Sequence, residues 1–136
     1  MLHTYHASYG FDVTMFRYFN PFGAGENHDP ETHAVPNFIK ATLKGKPIPL
    51  YWKGNQARDF FYVEDIAEAH VLGLGQTGWH YYNLGSGKAT KVLELVKIIF
   101  GITGKKTKIK DLGERAGDPT QLLASIPKVK KELRWV

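Results

Sequence analysis

The sequence predicts an α/β fold, on three observations. "DVTMFRYF" (12–19) is apolar almost throughout, the pattern of a parallel strand buried on both faces. "TKVLELVKIIFG" (90–101) sets Val92, Leu95, Val96 and Ile99 on one helical stripe at i, i+3, i+4 and i+7. Around these two segments, short extended runs alternate with helical ones, most of them punctuated by glycine or proline.

Taken in order, residues 1–9 read as the end of a helix that Gly10 closes as its C-terminal cap. The strand 12–19 follows, and "NPFGAGENHDPETH" (20–33) is loop by composition. "VPNFIKATLK" (35–44) is helical, with Pro36 tolerated in the first turn and Gly45 as the stop. "PIPLYW" (47–52) and "RDFFYV" (58–63) are extended. "EDIAEAHVLGL" (64–74) is a helix whose first-turn acids suit the macrodipole. "HYYNLG" (80–85) is a strand entering a glycine turn, in which Asn83 is expected to be a turn residue. "KTKIKDL" (106–112) alternates like an exposed edge strand, "GERAGDPT" (113–120) is a loop, and Ser125 is expected to cap a last helix with Pro127 in its first turn. A doubly buried strand needs neighbours on both edges, which the eleven residues before it cannot supply. The chain is therefore expected to be a fragment or to borrow a layer from a partner.

With 136 residues the chain fits one domain, or one lobe of a larger one. No apolar run reaches the roughly 20 residues of a membrane span, and no signal-peptide pattern opens the sequence. There are no cysteines, which excludes disulfides, thiolate nucleophiles and zinc-thiolate sites; a cytoplasmic location is the expectation. The formal charge of +5 favours anionic ligands. Lys105, Lys106, Lys108, Lys110, Lys128, Lys130 and Lys131 carry much of it without interleaved aromatics, so a solvated face is expected and a nucleic-acid surface is not. "HDPETH" gathers His28, Asp29, Glu31 and His33, but reads as a solvated loop rather than a metal site. His3 and His6 also read as solvated.

Arg58 is the residue most suited to an anion: rigid, always charged, and able to give a diphosphate two parallel hydrogen bonds. The alternative at this position is a structural ion pair with Asp59 or Glu64. For Asp118, which precedes Pro119, the alternative is a turn in which the carboxylate bonds its local backbone.

Four motifs occur in register: "RYFNPFGAGE" (17–26), "GNQARDFFYVEDIAEAH" (54–70), "YNLGSG" (82–87) and "ERAGDP" (114–119). Together they resemble the C-terminal part of the extended short-chain dehydrogenase/reductase family, the NAD-dependent nucleotide-sugar epimerases and dehydratases, with the UDP-glucose 4-epimerases as the nearest branch. The resemblance implies the last strand-helix portion of a Rossmann-type parallel sheet over residues 1–34, and a small C-terminal substrate-binding α/β lobe over residues 35–136. It implies that Arg58 and Arg115 contact a pyrophosphate and that Asp118 accepts from ribose hydroxyls. Asn20 matches a donor to the substrate, and the backbone at Phe19 a contact with the nicotinamide carboxamide of NAD. Pro49, Leu50 and Tyr51 match the segment laid against uracil, and Ala34 and Val35 a further backbone contact with substrate.

Three departures bear on detail. Trp52 stands where the family commonly has a small glycine, so the turn there is expected to differ. Leu122 stands at a sugar-pocket position that is bulky or sulfur-bearing in 4-epimerases. "LLAS" replaces the usual Ala-Asp before the last helix. The larger departure is that the chain has neither the Gly-x-x-Gly-x-x-Gly turn for the NAD pyrophosphate nor a Tyr-x-x-x-Lys pair for proton transfer. The resemblance thus implies the substrate-binding portion of a UDP-glucose/UDP-galactose 4-epimerase, inactive as this chain alone and without catalytic residues of its own. Its expected partners are a UDP-hexose and either further copies of itself or a chain supplying the rest of the Rossmann domain. Two other readings stand beside it: a non-catalytic nucleotide-sugar-binding or assembly subunit and, within the family, a dTDP-sugar 4,6-dehydratase.

Overall fold

The computed structural model describes residues 1–26 and 33–135. Its elements, in chain order, are α1 (Leu2–Tyr9), β1 (Val13–Tyr18), β2 (Asn20–Phe22), α2 (Ala34–Leu43), β3 (Ile48–Leu50), a 3-10 turn (Trp52–Gly54), β4 (Ala57–Arg58), β5 (Phe60–Tyr62), α3 (Val63–Gly73), β6 (Trp79–Leu84), β7 (Thr90–Lys91), α4 (Val92–Thr103), β8 (Ile109–Asp111), β9 (Gln121–Leu122) and α5 (Pro127–Leu133). The fold is α/β, and most of its strand pairs are parallel. His28, Asp29 and Glu31 lie outside the described residues; among those described, no cluster of three metal-ligating side chains occurs. Also among them, no helix is long and apolar enough to cross a membrane.

The chain forms two compact units, each discontinuous in sequence: residues 1–23, 59–88 and 123–136, and residues 24–58 and 89–122. Each draws on separate stretches of the sequence.

In the first unit β1 runs parallel to β6, from Val13 opposite Trp79 to Tyr18 opposite Leu84. The Val13 N–H donates to the Gly78 carbonyl and the Phe19 N–H to the Leu84 carbonyl. Strand alternation therefore turns the amides of Thr14, Phe16 and Tyr18 to the opposite edge, where no strand of the described residues pairs with them. The expected double burial is only partly met, since Val13 to Phe16 are half-buried and Arg17 and Tyr18 are exposed. The core gathers Phe61, Ala69, Tyr82, Leu84, Val129, Leu133 and Trp135. Gly10 takes φ 69 and closes α1 as expected, its N–H donating to the His6 carbonyl.

The second unit is built on Phe38, Ile48, Leu50, Val92, Val96 and Ile99. Here the predicted stripe of α4 holds: Val92, Val96 and Ile99 are buried, and Leu95 packs against them. Strand β3 pairs with β8, and β4 lies between β7 and β9.

Some local expectations need correction. Residues 58–63 do not make one strand: β4 and β5 are separated at Asp59, whose side chain turns inward instead. Asn20–Phe22, expected as loop, pairs with Phe60–Tyr62. Asn83 is not a turn residue but lies within β6, where its Oδ1 accepts from the Arg17 guanidinium at 3.4 Å. Ser125 does not cap α5, whose N-cap is Ile126 with Pro127 opening the helix. The two histidines of α1 are not simply solvated: His3 meets the Trp79 ring edge-on at 5.2 Å, and His6 Nδ1 lies 2.7 Å from the Phe11 carbonyl.

Candidate functional site

In the second unit the candidate anion-binding residues converge on one turn. The Asp118 N–H donates to the Arg115 carbonyl at 3.2 Å, and Gly117 takes φ 79. That is the arrangement of a four-residue turn whose third position needs a left-handed backbone, which glycine adopts without strain. Arg115 and Asp118 stand at its two ends.

Arg58 reaches this turn from β4, which parallel pairing sets beside β9 with Arg58 opposite Leu122. Its Nη2 donates to Asp118 Oδ1, and its Nη1 donates to the carbonyls of Ala57 at 2.8 Å and Pro119 at 2.9 Å. The partner is thus neither Asp59 nor Glu64. A guanidinium has five N–H donors in a planar fork; those left, on Nε and Nη2, have no acceptor among the described residues. The side chain of Arg58 is only 11% exposed and that of Asp118 23%, so the pair sits in a partly dehydrated setting where charge counts for more than in open water. The second oxygen of Asp118 has no donor among the described residues.

Arg115 is exposed, and its guanidinium carbon lies 5.5 Å from the centre of the Tyr51 ring, within cation–π range. Tyr51 arrives there because β3 leads into the loop at residues 112–113: the Leu112 N–H donates to the Leu50 carbonyl, and the Trp52 N–H to the Gly113 carbonyl. Pro49 is exposed and Tyr51 half-buried, whereas Leu50 is a core residue with 1% exposure. Ala34, at the first turn of α2, packs on the core of this unit, and Val35 beside it is half-buried.

The departure at Trp52 has a backbone consequence. Trp52 and Lys53 take φ 53 and φ 52, a left-handed pair followed by Gly54 at φ 76. Gly54 has no room for a side chain: a Cβ there would stand 2.9 Å from the Leu93 Cβ and amide nitrogen. The sequence thus puts two side chains where a glycine would cost nothing in strain.

In the first unit Phe19 and Asn20 follow the carboxyl end of β1. The Asn20 N–H donates to the Asp59 carbonyl at 3.0 Å, and its side chain has no partner among the described residues. The Phe19 amide is engaged by Leu84; the neighbouring Tyr18 amide is the one that faces the open edge.

The residue that sequence reasoning missed is Asp59. Fully buried, it accepts from the Ser86 N–H (2.7 Å), the Ser86 hydroxyl (2.6 Å), the Gly87 N–H and the Ala124 N–H (both 3.1 Å). The signal was the "GSG" turn at 85–87: a Cβ on Gly85 would stand 2.6 Å from Asp59 Oδ2, so the glycine lets the backbone wrap the carboxylate.

Comparison with known proteins gives the context of this geometry. The family model "NAD dependent epimerase/dehydratase family" matches residues 1–85. A UDP-glucuronate 4-epimerase of Thermodesulfobacterium geofontis is 36% identical over 98% of this chain and 41% of its own length. A UDP-N-acetylglucosamine 4-epimerase of Methanobrevibacter ruminantium, solved with UDP-N-acetylmuramic acid, superposes with a TM-score of 0.89 at 36% identity, over 96% of this chain and 42% of that one. The Thermus thermophilus UDP-glucose 4-epimerase solved with NAD gives 0.87 at 30% identity, over 99% and 44%. The chain spans about two fifths of the length of these relatives. Its fold is that of Rossmann-type epimerases.

Proposed function

This chain belongs to the NAD dependent epimerase/dehydratase family, and we propose that it is the nucleotide-sugar-binding portion of a 4-epimerase of the UDP-glucose/UDP-galactose type. The observation that carries this reading is the double use of Arg58. Three hydrogen bonds fix the guanidinium, to Asp118 at the end of the turn, to the Pro119 carbonyl just after it and to the Ala57 carbonyl in β4, and donors remain on Nε and Nη2 for a bidentate contact with a diphosphate. Arg115 is the second cation, the free oxygen of Asp118 accepts from a ribose hydroxyl, and Pro49 and Tyr51 flank the base, with Leu50 holding them from the core. Ala34 and Val35 add a backbone contact. A grip on the diphosphate leaves the hexose free to turn, which inversion at C4 requires.

The family's cofactor is NAD, which supplies a reversible hydride acceptor. The residues here fit the carboxamide of its nicotinamide, which needs one donor and one acceptor. Tyr18 turns both backbone groups to the unpaired edge of β1, whereas the Phe19 amide is engaged. The expected contact at Phe19 is therefore better assigned to the Tyr18–Phe19 pair, with Tyr18 donating. Chemistry at C4 draws on residues beyond those of this chain, so the partner is a parallel α/β layer seated on the open edge of β1, in a cytoplasmic assembly.

Titration calorimetry with UDP tests the reading. Saturable binding that Arg58→Ala weakens supports it. A folded sample that gives no heat overturns it.

A further inference from the structure

A second surface in the same unit lies on β8, the strand paired with β3, and it joins a basic face to an unpaired strand edge. The Ile48 N–H donates to the Lys108 carbonyl, and the Leu112 N–H to the Leu50 carbonyl. The even-numbered residues of β8 thus face β3, and alternation turns the N–H and C=O of Ile109 and Asp111 outward. No described strand pairs with that edge. All three residues of β8 are exposed, Ile109 to 43%.

Period-two geometry sets Lys106, Lys108 and Lys110 on one face of this segment. Lys106, Thr107 and Lys108 line an open groove with Gly45 and Pro47. Lys44, Lys46 and Lys105 add charge at its rim, and Lys105 Nζ donates to the Leu43 carbonyl. None of these six lysines makes a salt bridge with a carboxylate among the described residues. The Thr107 hydroxyl donates to the Lys46 carbonyl at 2.8 Å, which ties the groove wall to the end of α2.

We propose that the outer edge of β8 takes an extended acidic peptide of a partner protein by strand addition. Its backbone pairs with Ile109 and Asp111, and its alternate carboxylates lie over Lys106, Lys108 and Lys110. Main-chain hydrogen bonds supply the grip and side chains at every second position the selection; opposite charges directly across a strand pair add to it. Charge complementarity argues for an acidic partner, and the lack of an aromatic interleaved with these lysines argues against single-stranded nucleic acid. This surface shares no residue with the proposed nucleotide-sugar site, so either assignment can fail without the other.

The probe is a fluorescently labelled short peptide alternating glutamate and valine, titrated into the full chain and read by anisotropy. Two variants separate backbone from charge. Ile109→Pro removes an N–H that faces the open edge, so the β3 pairing survives while strand addition does not. Lys106→Glu with Lys108→Glu reverses the face. Circular dichroism melts confirm that each variant folds. Saturable binding, weakened about tenfold or more by either change, is expected. Three results overturn the proposal: no binding to the folded chain, binding untouched by Ile109→Pro, or a labelled oligothymidylate bound as tightly as the peptide. Should Ile109→Pro not fold, loss of an infrared signal for added strand in the lysine variant decides the matter in the same way.

Discussion

Arg58 and Asp118, separated by 60 positions in the chain, are joined by a hydrogen-bonded ion pair at the end of the turn that Arg115 begins. The contact uses one oxygen of the carboxylate and one edge of the guanidinium, leaving both groups partly unspent.

That geometry predicts two separable effects. Arg58→Ala should weaken UDP binding by about 2–3 kcal/mol, the range for hydrogen bonds to charged groups. Arg58→Lys should recover little of it, because an ammonium cannot grip Asp118, Pro119 and a diphosphate at once. In denaturant melts, the double-mutant cycle of Arg58→Ala with Asp118→Ala should return a coupling of about 1 kcal/mol. Binding unchanged by Arg58→Ala would leave the arginine a purely structural residue of the turn.

Asp59 is expected to matter more for folding than for binding. Its two oxygens accept four hydrogen bonds from Ser86, Gly87 and Ala124 in a fully buried site. Asparagine has nearly the same shape, but its amide nitrogen must face N–H donors whichever way it is turned. Asp59→Asn should therefore cost about 3 kcal/mol, from donors left without an acceptor. Ser86→Ala, which removes only the hydroxyl donor, should cost about 1 kcal/mol. Equal losses for the two variants would show that the carboxylate is not the centre of the turn.

Alkaline pH offers a third test. Burial pushes the Tyr82 phenol from 10.0 up to about 12, aided by its hydrogen bond to Glu132 and by the charge of that carboxylate. The folded state thus favours the neutral phenol, while the unfolded chain ionises at the ordinary value. The stability this contributes is fully present below pH 10 and is lost as the pH rises through about 12. Denaturant melts across that window should show the decline, and Tyr82→Phe should flatten it. An undiminished decline in the phenylalanine variant would assign it to other groups.

What the sequence disclosed was what local chemistry dictates. The stripe Val92–Leu95–Val96–Ile99 announced α4, and Gly10 and Gly45 marked the ends of α1 and α2, because period and left-handed caps are properties of a few neighbouring residues. Arg58 could be singled out as an anion-ligand candidate from its own chemistry. Its partner could not, since the pairing with Asp118 depends on β9 lying parallel beside β4, and two-residue strands leave no periodic trace. Asp59 was misread for the same reason. Next to arginine it suggests an ion pair, and only tertiary folding reveals the amides of residues 86, 87 and 124 around it. Likewise β1 shows an apolar run but not which of its amides are engaged: those of Val13 and Phe19 bond Gly78 and Leu84, while those of Thr14, Phe16 and Tyr18 face the other edge.

The left-handed turn after Tyr51 gives a prediction in which a substitution should help. Lys53 is exposed and holds φ 52 and ψ 22 inside the 3-10 turn, a conformation that costs a residue with a Cβ about 1–2 kcal/mol. Its ammonium makes no hydrogen bond or salt bridge among the described residues, so little is lost with the side chain. Lys53→Gly relieves the strain but raises the entropy of the unfolded chain, which takes back part of the gain. The net expectation is a stabilisation of up to about 1 kcal/mol, seen as a higher denaturation midpoint at unchanged slope. The same change at Trp52 should not help, since the half-buried indole that would be lost contributes more through packing than the strain takes away. Stability lowered by Lys53→Gly would mean that the turn is not held left-handed at this position, and the account of Trp52 as a substituted glycine would fall with it.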